Sequence, residues 1–207
     1  RFAGRHAECV FISPPNKAAA QKSVATLREQ LVQSGRRPED VKVFVGAAVV
    51  TAPTLKQAQE KHEDYKRHAS REAGLAHFSA STGIDYSRYD LDEPIQYGPT
   101  NAIESATRTA QQHGWTRRQL LEIFELGGRY PAIVGTPAQV ADELQSWIDD
   151  TGVDGFNLSR TVVPESYEDF VDLVVPELQD RGVYKTSYES GTLRRKLFGE
   201  SDRLPQR

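Results

Sequence analysis

The chain has 207 residues, 38% of them hydrophobic and 27% charged, with a formal net charge of -3. That length can bury the core of one large or two small domains. The balanced charge, with no basic cluster interleaved with aromatics, argues against a nucleic-acid partner. No apolar run approaches the ~20 residues that span a bilayer.

The opening RFAGRHAECVF runs straight into an apolar segment, and the chain contains no Met. This reads as the middle of a longer gene product. A cytoplasmic protein without a secretory leader is expected. Cys9 is the single cysteine. It leaves no internal disulfide framework, suits a reducing compartment, and reads as a small buried hydrophobe within a strand over Cys9–Ile12.

A helix follows from Lys17 to about Gln33. Ala20, Val24, Leu27 and Leu31 lie on one face, and Gly35 ends it. After a polar turn with Pro38, Val41 to Val50 is almost continuously apolar, as for a strand covered on both faces. Gly46 inside it marks either close approach of a backbone or ligand, or a plain packing position.

Thr54 and Gln57 form a capping box that opens a helix reaching roughly to His77. Phe78 to about Gly128 then breaks the alternation. It holds a loop from Ser79 to Asn101, a polar helix over 102–112, and a helix capped by Thr116 and Gln119 that buries Leu120, Ile123 and Phe124. Long loops in compact domains are usually lids or mobile segments.

Ala132 to Ser159 reads as one strand–helix–strand unit. Thr136 and Gln139 form a second capping box, with Pro137 at the first helical position. Val140, Leu144, Trp147 and Ile148 share a helical period, Gly152 ends the helix, and Val153 to Leu158 returns as a strand. Pro164 to Arg181 is helical on the period of Phe170, Leu173, Val174 and Leu178, with Pro176 kinking or restarting it. The remainder, about 183–207, is an extended C-terminal arm in which Arg194-Arg195-Lys196 is a solvated face.

Four strands alternating with helices give an α/β fold with a parallel sheet. With right-handed crossovers they amount to half of a (β/α)8 barrel, carrying an insertion or lid at about 78–128. Such a half has two unpaired edges and an uncovered face of inward side chains. It calls for the missing half or a second copy.

No zinc-protease, nucleophile-elbow, Cys-x-x-Cys or phosphate-loop motif is present, and no metal site is expected. His62 and His68 lie on a charged helix surface, and His113 precedes a helix-ending glycine. His77, between Leu75, Ala76 and Phe78 at the mouth of the lid, reads as a pocket residue or as a structural histidine. Barrel geometry makes the strand ends Phe11, Ser13, Thr51, Val134, Gly135, Asn157 and Ser159 site-lining, core or turn positions. Gly135-Thr136 enters a helix N-terminus able to hold an anion.

The stretches FAGRHAECVF, VKVFVGAAVV, LAHFSASTGIDYSRYDLDEP, IVGTPAQVADELQSWIDDTGVDGFNLS and DFVDLVVPELQDRGVYKTSYESGTLRRKLFG span nearly the whole chain. In order and spacing they resemble the C-terminal half of bacterial-luciferase-like flavin-dependent monooxygenases, in the nitrilotriacetate/dibenzothiophene-sulfone branch. The resemblance implies a TIM barrel about twice this length. It also implies a two-component reaction, in which a separate NAD(P)H:flavin reductase supplies reduced FMN. With O2, that flavin oxygenates a small organic substrate or cleaves its C–N or C–S bond.

The same resemblance places Phe11, His77 and Val134 along the flavin and substrate cavity, as apolar wall, polar contact and apolar wall. It puts the main FMN contacts upstream of Arg1. Two alternatives remain: a non-catalytic half-barrel acting as a subunit or interaction piece, and a deazaflavin (F420) oxidoreductase of the same superfamily. The branch-specific C-terminal stretch argues against the second.

Overall fold

The computed structural model describes residues 2–95, 114–126, 130–199 and 201–203. The expected helix over 102–112, His113 and Gly127-Gly128 lie outside the described residues. The chain divides into two compact units, Arg1–Ala58 with Tyr130–Arg207, and Gln59–Arg129.

The first unit is built on a parallel four-stranded sheet. The strands are β1 (Cys9–Ile12), β2 (Lys42–Thr51), β3 (Ala132–Gly135) and β4 (Gly155–Ser159). All three short strands pair with β2: β1 along Lys42–Val45, β3 along Ala48–Thr51 and β4 along Phe44–Ala48. Lys42 and Ala48 donate their N–H groups to Glu8 and Pro131, whereas the Val43 carbonyl accepts from Asp154. Backbone groups alternate sides along a strand. β1 and β3 therefore follow one another along one edge of β2, and β4 occupies the other edge.

Sequential pairing thus holds for β1 with β2 and for β2 with β3, but β4 bonds β2 rather than β3. The cause lies at the start of β4. Asp154 is fastened to Val43 through both backbone and side chain, which sets β4 beside the lower half of β2.

Helices pack on one face of this sheet. In α2 (Lys17–Gln33) the Asn16 side chain caps the Ala19 N–H, and Ala20, Val24, Leu27 and Leu31 form the buried stripe. Gly35, at φ 71°, turns the chain away. In α6 (Pro137–Thr151) the Thr136–Gln139 capping box is formed, and Gly152, at φ 72°, accepts the left-handed end. Val140, Leu144 and Trp147 are buried there, while Ile148 faces solvent at 41% exposure, unlike its expected role.

Two clusters join the helices to Val43, Val45, Ala47 and Val49 of β2, with Val10, Ile12, Ile133, Phe156 and Leu158 from the other strands. After β4 come α7 (Glu165–Asp169), a π-helical turn over Phe170–Val174 and α8 (Val175–Asp180). Pro176 lacks an N–H and its ring displaces the preceding turn, which accounts for the wider turn directly before it. The arm contains a short α9 (Leu193–Phe198), tied back by Arg194 Nε to Glu8 at 2.8 Å. Arg194 is thus an anchor rather than part of a wholly solvated face.

The second unit has its own core, made by Leu75, Phe78, Tyr86, Ile95, Leu120 and Phe124. Phe78 stacks on Tyr86 at 5.4 Å and on Phe124 at 4.1 Å. The single helix expected up to His77 is two, α3 (Leu55–His68) and α4 (Arg71–Thr82), because the Ser70 side chain caps the Ala73 N–H and starts a new one. α5 (Arg117–Ile123) opens with the expected Thr116–Gln119 box. No helix among the described residues is long and apolar enough to cross a membrane.

Candidate functional site

Side chains alternate faces along a strand, and register partners share a face. The helix-packed clusters take the odd positions of β2. The even positions, Lys42, Phe44, Gly46, Ala48 and Val50, therefore point to the opposite face. Their register partners are Cys9 and Phe11 on β1, Ala132 and Val134 on β3, and Gly155, Asn157 and Ser159 on β4. None of these side chains belongs to the helix-packed clusters of the first unit. This open face is the candidate site.

Its chemistry runs in layers. At the N-terminal end, Lys42 Nζ meets Asp154 at 3.2 Å, so its charge is spent on structure. Cys9 lies beside Lys42 and is exposed, not buried as its apolar neighbours suggest. Burial of the sulfur environment and the nearby carboxylates of Glu8 and Asp154 push its thiol pKa up, against Lys42, which keeps it protonated. Above it, Phe11 stacks on Phe44 with ring centroids 5.5 Å apart, leaving Phe11 67% exposed.

The middle of the face is stripped of bulk by Gly46, Ala48, Ala132 and Gly155. A Cβ on Gly46 would overlap the ring of Tyr130, and one on Gly155 would crowd the Phe44 ring at 3.2 Å. Gly46 is therefore a packing position, met by a side chain and not by a backbone or ligand, and Tyr130 is a residue of this face that sequence reasoning missed. A glycine inside a β-branched strand was the available signal. Near the C-terminal ends Val50 is buried, Val134 and Ser159 are half-buried, and Asn157 is exposed. Thr51 instead donates its hydroxyl to the Gly135 carbonyl at 3.0 Å, closing β2 onto β3.

Phe11 and Val134 thus lie on the same face, but opposite Phe44 and Val50, six positions apart on β2. At the strand rise that is about 20 Å. His77 belongs to the second unit, exposed on α4 rather than in a loop. Val134 also borders a cavity of about 740 Å³, with Pro15, Lys17, Pro131, Glu143 and Trp147, on the edge where β3 succeeds β1. Lys17 Nζ is held there by Ser146 at 2.6 Å, Asp150 at 3.2 Å and Glu143 at 3.6 Å. Its charge is compensated. No cluster of metal-ligating side chains occurs among the described residues.

Comparison with known proteins agrees with this architecture. The chain is 38% identical over 206 residues to dimethyl-sulfide monooxygenase of Hyphomicrobium sulfonivorans, covering 98% of this chain and 43% of that protein. It is equally identical over 206 residues to long-chain alkane monooxygenase of Geobacillus thermodenitrificans, covering 99% and 43%. Dibenzothiophene-sulfone monooxygenase of Rhodococcus erythropolis is 35% identical, at 94% and 45% coverage.

The crystal structure of a long-chain alkane monooxygenase superposes with a TM-score of 0.85 at 36% identity, covering 99% of this chain and 44% of its own. That of a riboflavin lyase with modified FMN and riboflavin superposes at 0.88 and 30% identity, covering 96% and 44%. The chain therefore spans less than half the length of these relatives. Residues 1–155 match the model of the luciferase-like monooxygenase family, whose solved members provide a luciferase-like TIM-barrel framework. A parallel sheet with one helix-packed and one open face, matched over nearly its whole length by named monooxygenases, makes this chain a member of the luciferase-like monooxygenase family.

Proposed function

We propose that the chain is the C-terminal portion of a two-component monooxygenase. The protein would use reduced FMN and O2 to oxygenate a small organic substrate or cleave its C–N or C–S bond. The open face carries this reading: it is one wall of an inward-facing cavity whose remaining staves come from the rest of the barrel. Relatives named for dimethyl sulfide, dibenzothiophene sulfone and nitrilotriacetate favour a small sulfur- or nitrogen-bearing substrate. An NAD(P)H:flavin reductase is the partner this chemistry requires.

The open face suits the flavin ring system. Ala48 and Ala132 leave room for a planar body above the Tyr130 ring, Val50 and Val134 provide apolar contact, and Asn157 and Ser159 offer hydrogen bonds to a polar ring edge. Lys17 does not suit the phosphate, since three partners already hold its ammonium. Arg160, exposed directly after β4, is the candidate cation for a phosphate at the strand ends.

Reduced FMN supplies the electrons that activate O2, and the side chains of this chain bind, orient and exclude water. Val134 acts as an apolar wall above the Tyr130 ring, and Phe11 as one below it. Asn157 orients by hydrogen bonding.

Titration of FMN into the protein in its native length tests the reading, followed by O2 uptake with a flavin reductase, NADH and dialkyl sulfides. Quenching of FMN fluorescence and substrate-dependent O2 uptake are expected. A protein that neither perturbs FMN nor consumes O2 with any sulfide or amine refutes it.

A further inference from the structure

One aromatic ring divides the open face into a lower and an upper half. Tyr130 stands two positions before Ala132, the register partner of Ala48, and is therefore level with Gly46. On that edge β1 pairs only as far as Val45. Tyr130 stands just before β3, and its ring lies where a Gly46 side chain would be. Below it stands the stacked pair Phe11 and Phe44. Above it, toward the C-terminal strand ends, come only Ala48, Ala132, Val50 and Val134 on β2 and β3.

We infer that Tyr130 is a specificity-determining residue, the floor of the substrate cavity, setting how deep an apolar, unbranched substrate chain reaches below the strand ends. On β2 and β3 the upper half of the face is aliphatic and small, so a hydrocarbon chain gains there by burial, while Ser159 on β4 stands level with Ala48. At Gly46 the phenol ring, not the strand, is the surface met next. Tyr130 is half-buried, so part of the ring remains open to a ligand. The charged group of this face, Lys42, sits below the floor and is engaged by Asp154. The inference rests on the open face being the ligand-binding face, but not on the flavin itself.

The experiment uses the protein in its native length and n-alkanols of increasing chain length, which displace anilinonaphthalene sulfonate. Each added methylene should tighten binding about fourfold until the chain meets the floor, where the gain stops. In Tyr130→Ala the gain should continue to longer chains, whereas Tyr130→Phe, of nearly equal size, should keep the wild-type cut-off. A merely structural tyrosine would weaken every alkanol alike and leave the cut-off in place, and that result overturns the inference. So does a wild-type protein that binds no member of the series saturably. Should Tyr130→Ala fail to fold, Tyr130→Leu decides, with a smaller displacement of the cut-off expected and an unchanged one refuting. FMN fluorescence measured in parallel separates the two claims: alkanol cut-off without flavin binding refutes the cofactor reading alone.

Discussion

Asp154 and Val43 are joined twice. The Asp154 N–H donates to the Val43 carbonyl at 2.8 Å, and the Val43 N–H donates back to the Asp154 carboxylate at 2.8 Å. Arg28 from α2 reaches the same carboxylate at 2.9 Å, and Lys42 reaches its other oxygen at 3.2 Å. One side chain thus fixes the start of β4, the register of β2 and the flank of α2. Asp154→Ala would strand the Val43 amide and leave two cations without their carboxylate. A loss of about 2–3 kcal/mol is expected in urea unfolding. A change below about 0.5 kcal/mol would show that water replaces the carboxylate at no cost.

The seat of Tyr130 on Gly46 makes a coupling prediction. Gly46→Ala forces the ring away and should cost about 1–3 kcal/mol. In a Tyr130→Ala background the same substitution should cost almost nothing, because the obstructing ring is gone. A double-mutant cycle reads the difference directly, and additive losses would contradict the packing described.

Phe78 is the central ring of the stack between Tyr86 and Phe124 in the second unit. Phe78→Ala removes both stacking partners from a buried site. A loss of about 3–5 kcal/mol is expected by chemical denaturation. His77, its exposed neighbour, should tolerate His77→Ala without measurable loss of stability.

Cys9 is exposed, yet burial of its surroundings and the carboxylates of Glu8 and Asp154 raise its pKa above the ordinary 9.0. The thiolate is the reacting species. Alkylation by iodoacetamide should therefore be slow at neutral pH and rise only in the alkaline range, with a midpoint above 9.0. Glu8→Gln removes one negative neighbour and should move that midpoint down. A neutral-pH rate equal to that of a free cysteine peptide would count against this environment.

Local signals in the sequence were decisive where the chain polices its own ends. Thr116, Thr136, Gly35 and Gly152 each cap or stop a helix as their chemistry dictates. The alternation of strands and helices was equally legible, but the apolar run Val41–Val50, read as covered on both faces, carries helix packing on one face in the described unit.

What local patterning could not supply was non-local. The pairing of β4 with β2 depends on an aspartate more than a hundred residues from its partner amide. Cys9 sits among apolar neighbours, and only the register reveals that its side chain faces away from the helices. Two of the expected strand ends, Phe11 and Val134, share the open face. Their spacing along it, and the tyrosine between them, follow from which strand lies beside which.

The arrangement of the sheet has a consequence for how the first unit opens. β1, β3 and β4 each hydrogen-bond to β2, with no pairing among themselves in the described sheet. The assembly is a hub with three spokes, not a chain of links. An outer spoke can peel away while the others persist, but detaching the hub abolishes every inter-strand bond at once. Amide protons of Phe44 to Ala48 should accordingly exchange with deuterium last, only through complete unfolding, while those of β1 leave earlier through fraying of a single short strand.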